Sequence, residues 1–539
     1  MTHQKLPTGI QTLQTIRQQG CYYVDKTPKI KQLLDMGNYY FVSRPRRFGK
    51  SLLVDTLMEL FEGNEPLFRG LHIHENWDWS INHPVVRLSF DGSFKEPENI
   101  ERAILNQLDW IEEQSQINFP KNRIETAQER LKDVLRHLHR ATGQQVVLVD
   151  EYDKPILDVI DNEQMAIANR DHLGGVCGIV KGIAEHVRFV FVTGVSMFSK
   201  VSLFWYLNNL TDISLDPDYA TICGYTDHDL ESVFAPEMEG LDREEIRRWY
   251  NGYHWLGEEK VYNPWDILNL FKTRKFQPFW FRTGSPSFLY KVMMEKKFSP
   301  AQLRNRLTDV ELLSNFEIEN IRLDPLLFQT GYLTITGEEE IRDETMYTLD
   351  YPNYEVKKCF KDELLNYLSG GDREIRRLGD ALIGLLLDHD FDGFTVHLRS
   401  FLAGLPYQWQ GKHSPARYEA WYGGMLYAAL DTSGVDIRLE ESSGLGRADM
   451  VLLHGSQVFV FEFKMVEIPI DVQSAEREKK GEKAAKAAIE QIRDRGYVNK
   501  YRRREGPIFL VGMAFERSGQ GEKPVALKAV SASVLNRGR

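Results

Sequence analysis

Cysteine is scarce in this sequence. Four cysteines occur in 539 residues, and no two of them form a CxxC pair. Structural zinc sites and disulfide frameworks need cysteines that are paired or clustered, so this spacing argues against both and favours a reducing compartment. The isolated cysteines are Cys21, Cys177, Cys223 and Cys359.

Long apolar runs are also missing. No stretch approaches the roughly 20 consecutive apolar residues that a membrane-spanning helix needs. The N-terminal segment, MTHQKLPTGIQTLQTIRQQG, contains no apolar run of the signal-peptide type. Together with the cysteine spacing, these absences predict a cytoplasmic protein with no membrane partner.

Positive charge is in deficit, since the formal net charge is −11 at pH 7. That sum does not indicate nucleic-acid binding, but the local clusters RPRRFGK and KYRRREG keep it open, because phosphate binding depends on local charge. Hydrophobic residues make up 42% and charged residues 27% of the chain, which is typical of a globular protein. The length predicts two or three domains.

The first part of the chain, residues 1–220, alternates short apolar runs with amphipathic stretches. The runs QVVLVD and RFVFVT are of the kind found in strands buried on both faces of a parallel sheet with helices between them. This pattern predicts an α/β domain. Its predicted strands are 38–43, 85–90, 145–150 and 188–193, with a helix at 51–63 and two helices across 98–141.

The remaining chain changes character twice. Residues 221–380 form a mixed, mainly helical connecting region whose many aromatic residues we interpret as core, because no catalytic spacing accompanies them. Residues 381–539 predict a second α/β domain. Its predicted elements are helices at 417–430 and 482–497 and strands at 435–440, 448–453, 457–464 and 507–515.

The segment RPRRFGKS, residues 44–51, is almost a phosphate-binding loop. It lies between a predicted strand and a predicted helix, where backbone N–H groups and the helix N-terminus can hold phosphates. Lys50 is placed to reach the β- and γ-phosphates, and the Ser51 hydroxyl to bind Mg²⁺. Arg44 stands where the usual pattern has a glycine, so the loop by itself is only suggestive.

The segment VVLVDEYDKP supplies a second signal of nucleotide chemistry. Asp150 ends an apolar strand, where a carboxylate can hold Mg²⁺, and Glu151 is placed to polarise the attacking water. A buried strand followed by an acidic turn is the alternative, but two motifs in the right order favour a nucleotide site. Thr193 and Ser196, at the end of the next strand, are candidates for a contact with the γ-phosphate or the water, with ordinary strand-end capping as the equal alternative.

Four motifs closely resemble the bacterial AAA-ATPase-like proteins that carry a C-terminal PD-(D/E)XK nuclease-like domain. They are YYVDKTPKIKQLL, FVSRPRRFGKSLL, VLVDEYDKPI and FVFVTGVSMFS, and the likeness continues through GYTDHDL, WYNGYHW, VYNPWDIL and QTGYLTI. In that family the loop also reads R-P-R-R-F-G-K-S, which implies a real nucleotide site with Arg44, Arg46 and Arg47 as cations beside the phosphates. The resemblance implies an ATP-binding set of Arg46, Arg47, Phe48, Gly49, Lys50, Ser51, Asp150 and Thr193.

The segment GRADMVLLHGSQVFVFEFK predicts a hairpin that brings two carboxylates together. If a four-residue loop, 454–457, closes it, Leu453 pairs with Val458 and Asp449 lies opposite Glu462. Lys464 then shares a face with Glu462, because side chains alternate along a strand. Opposed like charges are destabilising, and a divalent cation would remove that cost. An exposed charged hairpin is the alternative.

The same hairpin matches the PD-(D/E)XK pattern of the family. The resemblance implies that Asp449 and Glu462 bind Mg²⁺ and that Lys464 orients the nucleophile and offsets developing charge. Glu419 is the candidate for a further acidic residue from the preceding helix, with Glu440 as a weaker one. Gln491 and Tyr497 either contact the phosphate backbone of nucleic acid or pack within the domain. Arg502–Arg504 either contact the phosphates or belong to a solvated loop.

These observations predict an ATP-binding and ATP-hydrolysing protein with a Mg²⁺-dependent nuclease domain, acting in phage defence or DNA processing. The expected partner is nucleic acid, with DNA favoured, and a homo-oligomer stays open. One alternative is an ATP-driven switch whose nuclease-like domain only binds DNA or protein. Another is a signalling ATPase in which nucleotide-controlled oligomerisation activates the nuclease.

Overall fold

A computed structural model of the chain divides into two compact units. The first contains Met1–Ser285 and Asn305–Lys357, and the second contains Pro286–Arg304 and Lys358–Arg539. Within the described ranges, no helix is both long enough and apolar enough to cross a membrane. The structure describes residues 3–115, 126–182, 184–197, 209–283, 289, 292–293, 306–310, 313, 317–368, 371, 373–403, 419–430, 435–443, 446–468, 472–518 and 526–534.

A parallel five-stranded sheet forms the centre of the first unit. Its strand order is β2-β3-β4-β1-β5, and every neighbouring pair is parallel. All six residues of β3 are buried, as the apolar run predicts. The four predicted strands are confirmed to within one residue at each end. The strands are β1 (Tyr39–Ser43), β2 (Val85–Ser89), β3 (Gln145–Asp150), β4 (Val187–Gly194) and β5 (Thr211–Asp212).

Helices connect these strands and extend the unit beyond the sheet. The predicted helix at 51–63 is observed as Lys50–Phe61, and the pair across 98–141 as Pro97–Ser115 and Ala127–Thr142. In the last two of these helices the buried residues recur at helical spacing, which places one apolar face of each helix towards the core. The other α-helices of this unit are Leu13–Gln18, Thr27–Met36, Lys154–Leu157, Glu163–Gly182, Asp227–Ser232, Ala235–Met238, Arg243–Tyr250, Pro264–Thr273 and Leu323–Gln329.

The region predicted to connect two domains contributes to both units. Tyr22 and Val24, near the N-terminus, share one hydrophobic cluster with Phe234, Tyr250 and Phe271. This shared core groups residues 221–285 with the parallel sheet, which differs from the boundary expected at 220. A three-domain organisation stays a prediction. The first unit also contains an antiparallel sheet of order β6-β8-β7, formed by β6 (Arg306–Asp309), β7 (Thr334–Ile341) and β8 (Glu344–Asp350).

The second unit is built around a mixed five-stranded sheet of order β13-β12-β11-β10-β9. β11 and β12 are parallel, and the other neighbours are antiparallel. Side chains of the long C-terminal helix, including Ile489 and Ile492, pack with Val451 and Val460 of the sheet. The strands are β9 (Val435–Ser443), β10 (Gly446–His454), β11 (Gln457–Ile468), β12 (Ile508–Ser518) and β13 (Ala526–Val534). The α-helices in the described part of this unit are Arg373–Leu387, Phe391–Ala403, Glu419–Leu430 and Ser474–Asp494, and Tyr354–Leu368 begins in the first unit.

The predicted hairpin is present with the predicted pairing of Leu453 and Val458. The predicted four-residue loop is wrong, because His454 and Gln457 themselves pair and only Gly455 and Ser456 form the turn. Gly455 has φ 55°, the left-handed backbone that a tight two-residue hairpin turn favours. The register is unchanged, since the extra pair simply continues the same ladder.

Candidate functional site

The loop between β1 and the helix Lys50–Phe61 has left-handed backbone at two positions. Arg47 has φ 67° and Gly49 has φ 92°. A Cβ at Gly49 would meet no atom within 4 Å, so the backbone angle, and not space, favours glycine there. Arg44 is not among the residues with positive φ. The position where the usual motif has its first glycine therefore makes no such demand in this chain.

Arg44 itself is almost fully buried, with 1% exposure. Its guanidinium donates to the carbonyls of Ser43 and Ser214 at 2.8 Å and of Tyr219 at 3.1 Å, and it lies 4.2 Å from the centre of the Trp255 ring. Burial lowers its pKa to about 10. The expectation that Arg44 is a cation beside the phosphates is therefore wrong. Its guanidinium instead ties the start of the loop to the segment after β5.

Lys50 is buried at the first position of the helix. Its ammonium donates to the carbonyls of Arg44 at 2.9 Å and Pro45 at 3.0 Å. Burial lowers the pKa of Lys50, while the nearby carboxylates of Glu151 and Asp153 act in the opposite direction. These contacts hold the ammonium against the loop, close to where the backbone N–H groups of the helix N-terminus begin.

The carboxylates at the end of β3 and directly after it have distinct surroundings. Asp150 accepts a hydrogen bond from the Thr193 hydroxyl at 2.7 Å, so Thr193 lies beside the proposed metal ligand. Glu151 has φ 55°, and burial raises its pKa. The buried carboxylate of Asp153 accepts from both the amide and the hydroxyl of Ser196, at 2.6 and 2.7 Å. Ser196 therefore caps the turn and is engaged by Asp153.

One cavity of about 440 Å³ gathers the candidate nucleotide residues. Lys50, Ser51 and Glu151 line it, whereas the almost fully buried Asp150 does not. Sequence reasoning missed the other lining residues, which come from the N-terminal segment, from positions 153–158 and 195, and from four positions between 225 and 268. The lining residues are Pro7, Gly9, Ile10, Gln11, Ile16, Arg46, Arg47, Gly49, Lys50, Ser51, Leu52, Glu151, Asp153, Lys154, Leu157, Asp158, Val195, Tyr225, Pro264, Trp265 and Leu268.

The chemistry of these groups fits a nucleotide with Mg²⁺. A lysine at a helix N-terminus suits phosphates, and a hydroxyl and a carboxylate are hard oxygen ligands. In the described part of the chain, no group of three or more His, Cys, Asp or Glu side chains forms a metal site by itself. Magnesium typically takes one or two protein ligands and completes its shell with phosphate oxygens and water. Ser51, which lines the cavity, and Asp150, which directly precedes the lining residue Glu151, are the residues that would hold it.

The outer turn of the loop is held by residues more than two hundred positions away. The Arg46 carbonyl accepts from the side chains of Asn263 at 3.3 Å and Trp280 at 3.0 Å. The Arg47 guanidinium lies 4.7 Å from the centre of the Trp265 ring. Both arginine side chains are exposed and line the cavity, as a role beside phosphates requires.

Phe48 fixes the loop from its buried side. Its ring makes edge-to-face contacts with the rings of Tyr253 and Trp255, and the ring centres are 4.8 and 5.3 Å apart. Three of the four aromatic residues of WYNGYHW are buried, as expected, and two of these, Tyr253 and Trp255, form the part of the core on which the loop rests. The sequence contains one signal related to this support, since Asn263-Pro264 is typical of the start of a helix. Asn263 does cap the helix Pro264–Thr273, where its side chain accepts from the Trp265 amide at 2.9 Å.

In the second unit, Gln491 of the helix Ser474–Asp494 meets Glu462 of β11, the strand that also carries Lys464. Glu462 is 2% exposed and accepts from Lys464 at 3.2 Å and from the side-chain amide of Gln491. The pairing of β10 with β11 extends to Met450 and Phe461, one step short of Asp449 and Glu462. The Asp449 carboxylate instead accepts from the Phe463 amide at 2.6 Å, which brings it to the same strand as Glu462.

The remaining nuclease candidates have varied positions. Glu419 begins the helix Glu419–Leu430, but its side chain lies outside the described residues, as does that of Glu440. Tyr497 is 4% exposed within the core cluster, which supports the packing role. The side chains of Arg502–Arg504 are exposed.

Comparison with known proteins bears on both halves of the chain. A family model described as a predicted AAA-ATPase matches residues 7–204, and one described as the PD-(D/E)XK nuclease superfamily matches residues 417–520. An "Uncharacterized protein in vnfD 5'region" from Azotobacter chroococcum mcd 1 is 46% identical over 525 residues, which cover 96% of this chain and 98% of that protein. No solved structure matches the chain.

The first matched segment contains the loop 44–51 with Asp150, Glu151 and Thr193, and the second contains Asp449 and Glu462. Both sets of candidate residues therefore lie inside segments that resemble ATPase and nuclease domains. Because the identity with the Azotobacter protein extends over almost the whole length, this chain belongs to the same family as that protein, and it combines a predicted AAA-ATPase segment with a PD-(D/E)XK nuclease superfamily domain.

Proposed function

We propose that the first unit binds and hydrolyses ATP with Mg²⁺. The observation that carries this proposal is the single cavity onto which Lys50, Ser51 and Glu151 open, at the start of a helix that follows a parallel strand. Lys50 binds the β- and γ-phosphates together with the loop amides. Arg46 and Arg47, exposed at the rim, add positive charge near the phosphates.

The hydrolytic step assigns separate roles to the acidic residues. Glu151 accepts a proton from the attacking water, and the rise in its pKa through burial makes it a stronger base. Ser51 and Asp150 would hold Mg²⁺, which when bound offsets charge on the transferred phosphoryl group. Thr193 keeps the Asp150 carboxylate oriented through its hydroxyl.

We also propose that the second unit cleaves phosphodiester bonds of nucleic acid, with DNA favoured. The buried carboxylate of Glu462, on the strand that also carries Lys464, supports this role, as does the approach of Asp449 to the same strand. Asp449 and Glu462 would hold Mg²⁺, whose bound water supplies the nucleophile. Lys464 places positive charge where the transition state gains negative charge. Glu419 is proposed as a further acidic residue of this site.

The biological setting that fits these activities is cytoplasmic phage defence or DNA processing, with a homo-oligomer as one form of the protein. The second candidate function is an ATP-driven switch whose nuclease-like unit only binds nucleic acid or protein. It is favoured by one observation, namely that Lys464 and Gln491 already engage the Glu462 carboxylate.

One experiment separates these functions. Labelled single- and double-stranded DNA and RNA are incubated with the protein and Mg²⁺, with and without ATP, while phosphate release is followed in parallel. We expect ATP hydrolysis together with cleavage of at least one substrate. Hydrolysis of ATP without cleavage of any substrate would favour the switch, and absence of hydrolysis would refute the ATPase assignment.

A further inference from the structure

Arg87 lies between two buried carboxylates on the side of the sheet that faces the helix Lys50–Phe61. One arm of its guanidinium is 3.2 Å from Asp55 of that helix, and the other is 3.6 Å from Asp150 at the end of β3. The carboxylate side chains are 2% and 3% exposed, whereas the Arg87 side chain is 26% exposed. A single guanidinium therefore serves two carboxylates that have almost no contact with water.

This arrangement has an electrostatic reason. Ionised carboxylates are costly to bury unless charge and hydrogen bonds compensate them. Burial raises the pKa of Asp55, while the Leu13 amide and Arg87 oppose that rise. A guanidinium has a rigid planar fork whose two arms can reach two different carboxylates, and the point charge of a lysine cannot reproduce that geometry.

The orientation of Asp150 is fixed from both neighbouring strands. Thr193 of β4 donates to one carboxylate oxygen at 2.7 Å, and Arg87 of β2 approaches the other. Both supports therefore act on the proposed Mg²⁺ ligand without lining the cavity. Partners of this kind orient a metal ligand, and their loss typically weakens metal binding by about 10- to 100-fold.

Asp55 extends the same network to the N-terminal segment of the chain. Its second oxygen accepts from the Leu13 amide at 2.7 Å, at the first residue of the helix Leu13–Gln18. The segment just before that helix, from Pro7 to Gln11, supplies several of the residues that line the cavity. Arg87 thus connects the carboxylate at the metal end of the site with the segment that forms another wall.

We propose that Arg87 is a positioning residue of the nucleotide site, which orients Asp150 for Mg²⁺ and, through Asp55, fixes the N-terminal segment over the nucleotide. This inference rests on the proposed ATPase function. It predicts that one residue outside the cavity controls two separable properties, the Mg²⁺ requirement and the nucleotide affinity measured without Mg²⁺.

The test begins with Arg87→Met in the full-length protein. We expect the Mg²⁺ concentration for half-maximal ATP hydrolysis to rise by about tenfold or more. We also expect a several-fold weaker affinity for a fluorescent ATP analogue in EDTA, and faster amide hydrogen exchange over residues 7–16, because Asp55 loses the partner that holds its carboxylate in place. The last two measurements do not depend on catalysis.

Two further variants show whether the effect comes from positioning. Thr193→Val removes only the other support of Asp150, so it should shift the Mg²⁺ requirement and leave hydrogen exchange over residues 7–16 as in the parent. Arg87→Lys keeps the positive charge within the cluster and is the variant of choice if Arg87→Met fails to fold. It should shift all three measurements in the same direction as Arg87→Met, by smaller factors.

The inference and the proposed function can fail separately. If the parent does not hydrolyse ATP, or if Lys50→Ala hydrolyses it at the parental rate, the function itself is refuted. If hydrolysis depends on Lys50 but folded Arg87 variants retain the parental Mg²⁺ requirement, EDTA affinity and hydrogen exchange, only the role of Arg87 is overturned. Equal changes in exchange for Arg87→Met and Thr193→Val would refute the connection through Asp55.

Discussion

The guanidinium of Arg47 lies 4.7 Å from the centre of the Trp265 ring, and both residues line the same cavity. Arg47 has the left-handed backbone that is costly for a residue other than glycine, so tertiary contacts must hold it there. The ring provides one such contact, and the neighbouring Arg46 carbonyl is held by Asn263 and Trp280. The phosphate loop is therefore shaped by a segment that is distant in sequence.

Replacement of Trp265 by alanine should weaken ATP binding. The loop would lose a cation–π contact worth about 0.5–1 kcal/mol, equivalent to a two- to fivefold change in affinity, together with part of the cavity wall. Trp265→Phe should retain most of the affinity. Trp110→Ala is the matched control, because that side chain is 61% exposed. An equilibrium titration with a fluorescent nucleotide decides the outcome, and parental affinity for Trp265→Ala would contradict the proposed role of the ring.

Removal of the Lys50 ammonium by Lys50→Ala should abolish ATP hydrolysis. The ammonium is held at the loop, where it can reach the β- and γ-phosphates. Phosphate release measures the effect. Lys31→Ala, which removes a partly exposed lysine paired with Asp35, should leave the rate unchanged. Hydrolysis at the parental rate in Lys50→Ala would show that the loop is not the phosphate site.

Glu151→Gln separates chemistry from binding. The amide keeps the shape of the side chain but cannot accept the proton of the attacking water, so turnover should fall by roughly 100-fold or more while ATP still binds. Nucleotide titration and single-turnover hydrolysis distinguish the two effects. Glu185→Gln, at a mostly exposed side chain, serves as the control. An equal loss of ATP binding in Glu151→Gln would point to a structural role.

The buried carboxyl pair Asp266 and Glu355 predicts a dependence of stability on pH. Burial raises the pKa of Glu355 from its ordinary value of 4.5 to about 7, and burial together with Glu355 raises that of Asp266. The folded state therefore binds more protons than the unfolded state between pH 4.5 and 7. The stability that protonated Glu355 contributes is present below that interval and is lost as the pH rises through it.

Glu355→Gln should remove much of this dependence. The amide at position 355 cannot ionise. Above pH 7 the free energy of unfolding of the variant should therefore exceed that of the parent by roughly 1–3 kcal/mol. Denaturant unfolding of both proteins at several pH values measures the difference, with the exposed Glu317→Gln as the control. A parent and a Glu355→Gln variant with parallel pH profiles would contradict the assigned shift.

Asp449→Ala tests the nuclease unit independently of the ATPase. The variant should lose Mg²⁺-dependent cleavage, because it lacks one of the two proposed ligands, while ATP hydrolysis continues. Its stability should fall by about 1 kcal/mol, since the Phe463 amide loses its acceptor. Without nucleotide, Mg²⁺ should raise the melting temperature of the parent more than that of the variant. Asp436→Ala, on the neighbouring strand β9, is the control, and persistent cleavage by Asp449→Ala would refute the assignment.

The sequence by itself determined the elements whose signals are local. The strand 145–150 was predicted to the residue, because a short apolar run bounded by polar residues is typical of a strand buried on both faces. The pairing of Leu453 with Val458 also followed from local alternation, and it was correct although the turn was two residues and not four. The loop 44–51 and the acidic end of the strand 145–150 were also predictable in their order along the chain, because each is marked by a local motif.

Only the tertiary structure decided what surrounds those motifs. The Arg46 carbonyl is held by side chains 217 and 234 positions away, and Arg44 points into the interior towards carbonyls about 170 positions away. Arg87 meets Asp150 of the adjacent strand, 63 positions further along the chain. The Asp449 carboxylate accepts a hydrogen bond from the Phe463 amide, just beyond the last residue pair of β10 and β11. Such contacts arise from how separate elements pack, and burial then fixes which polar groups must pair, so no local pattern in the sequence could reveal them.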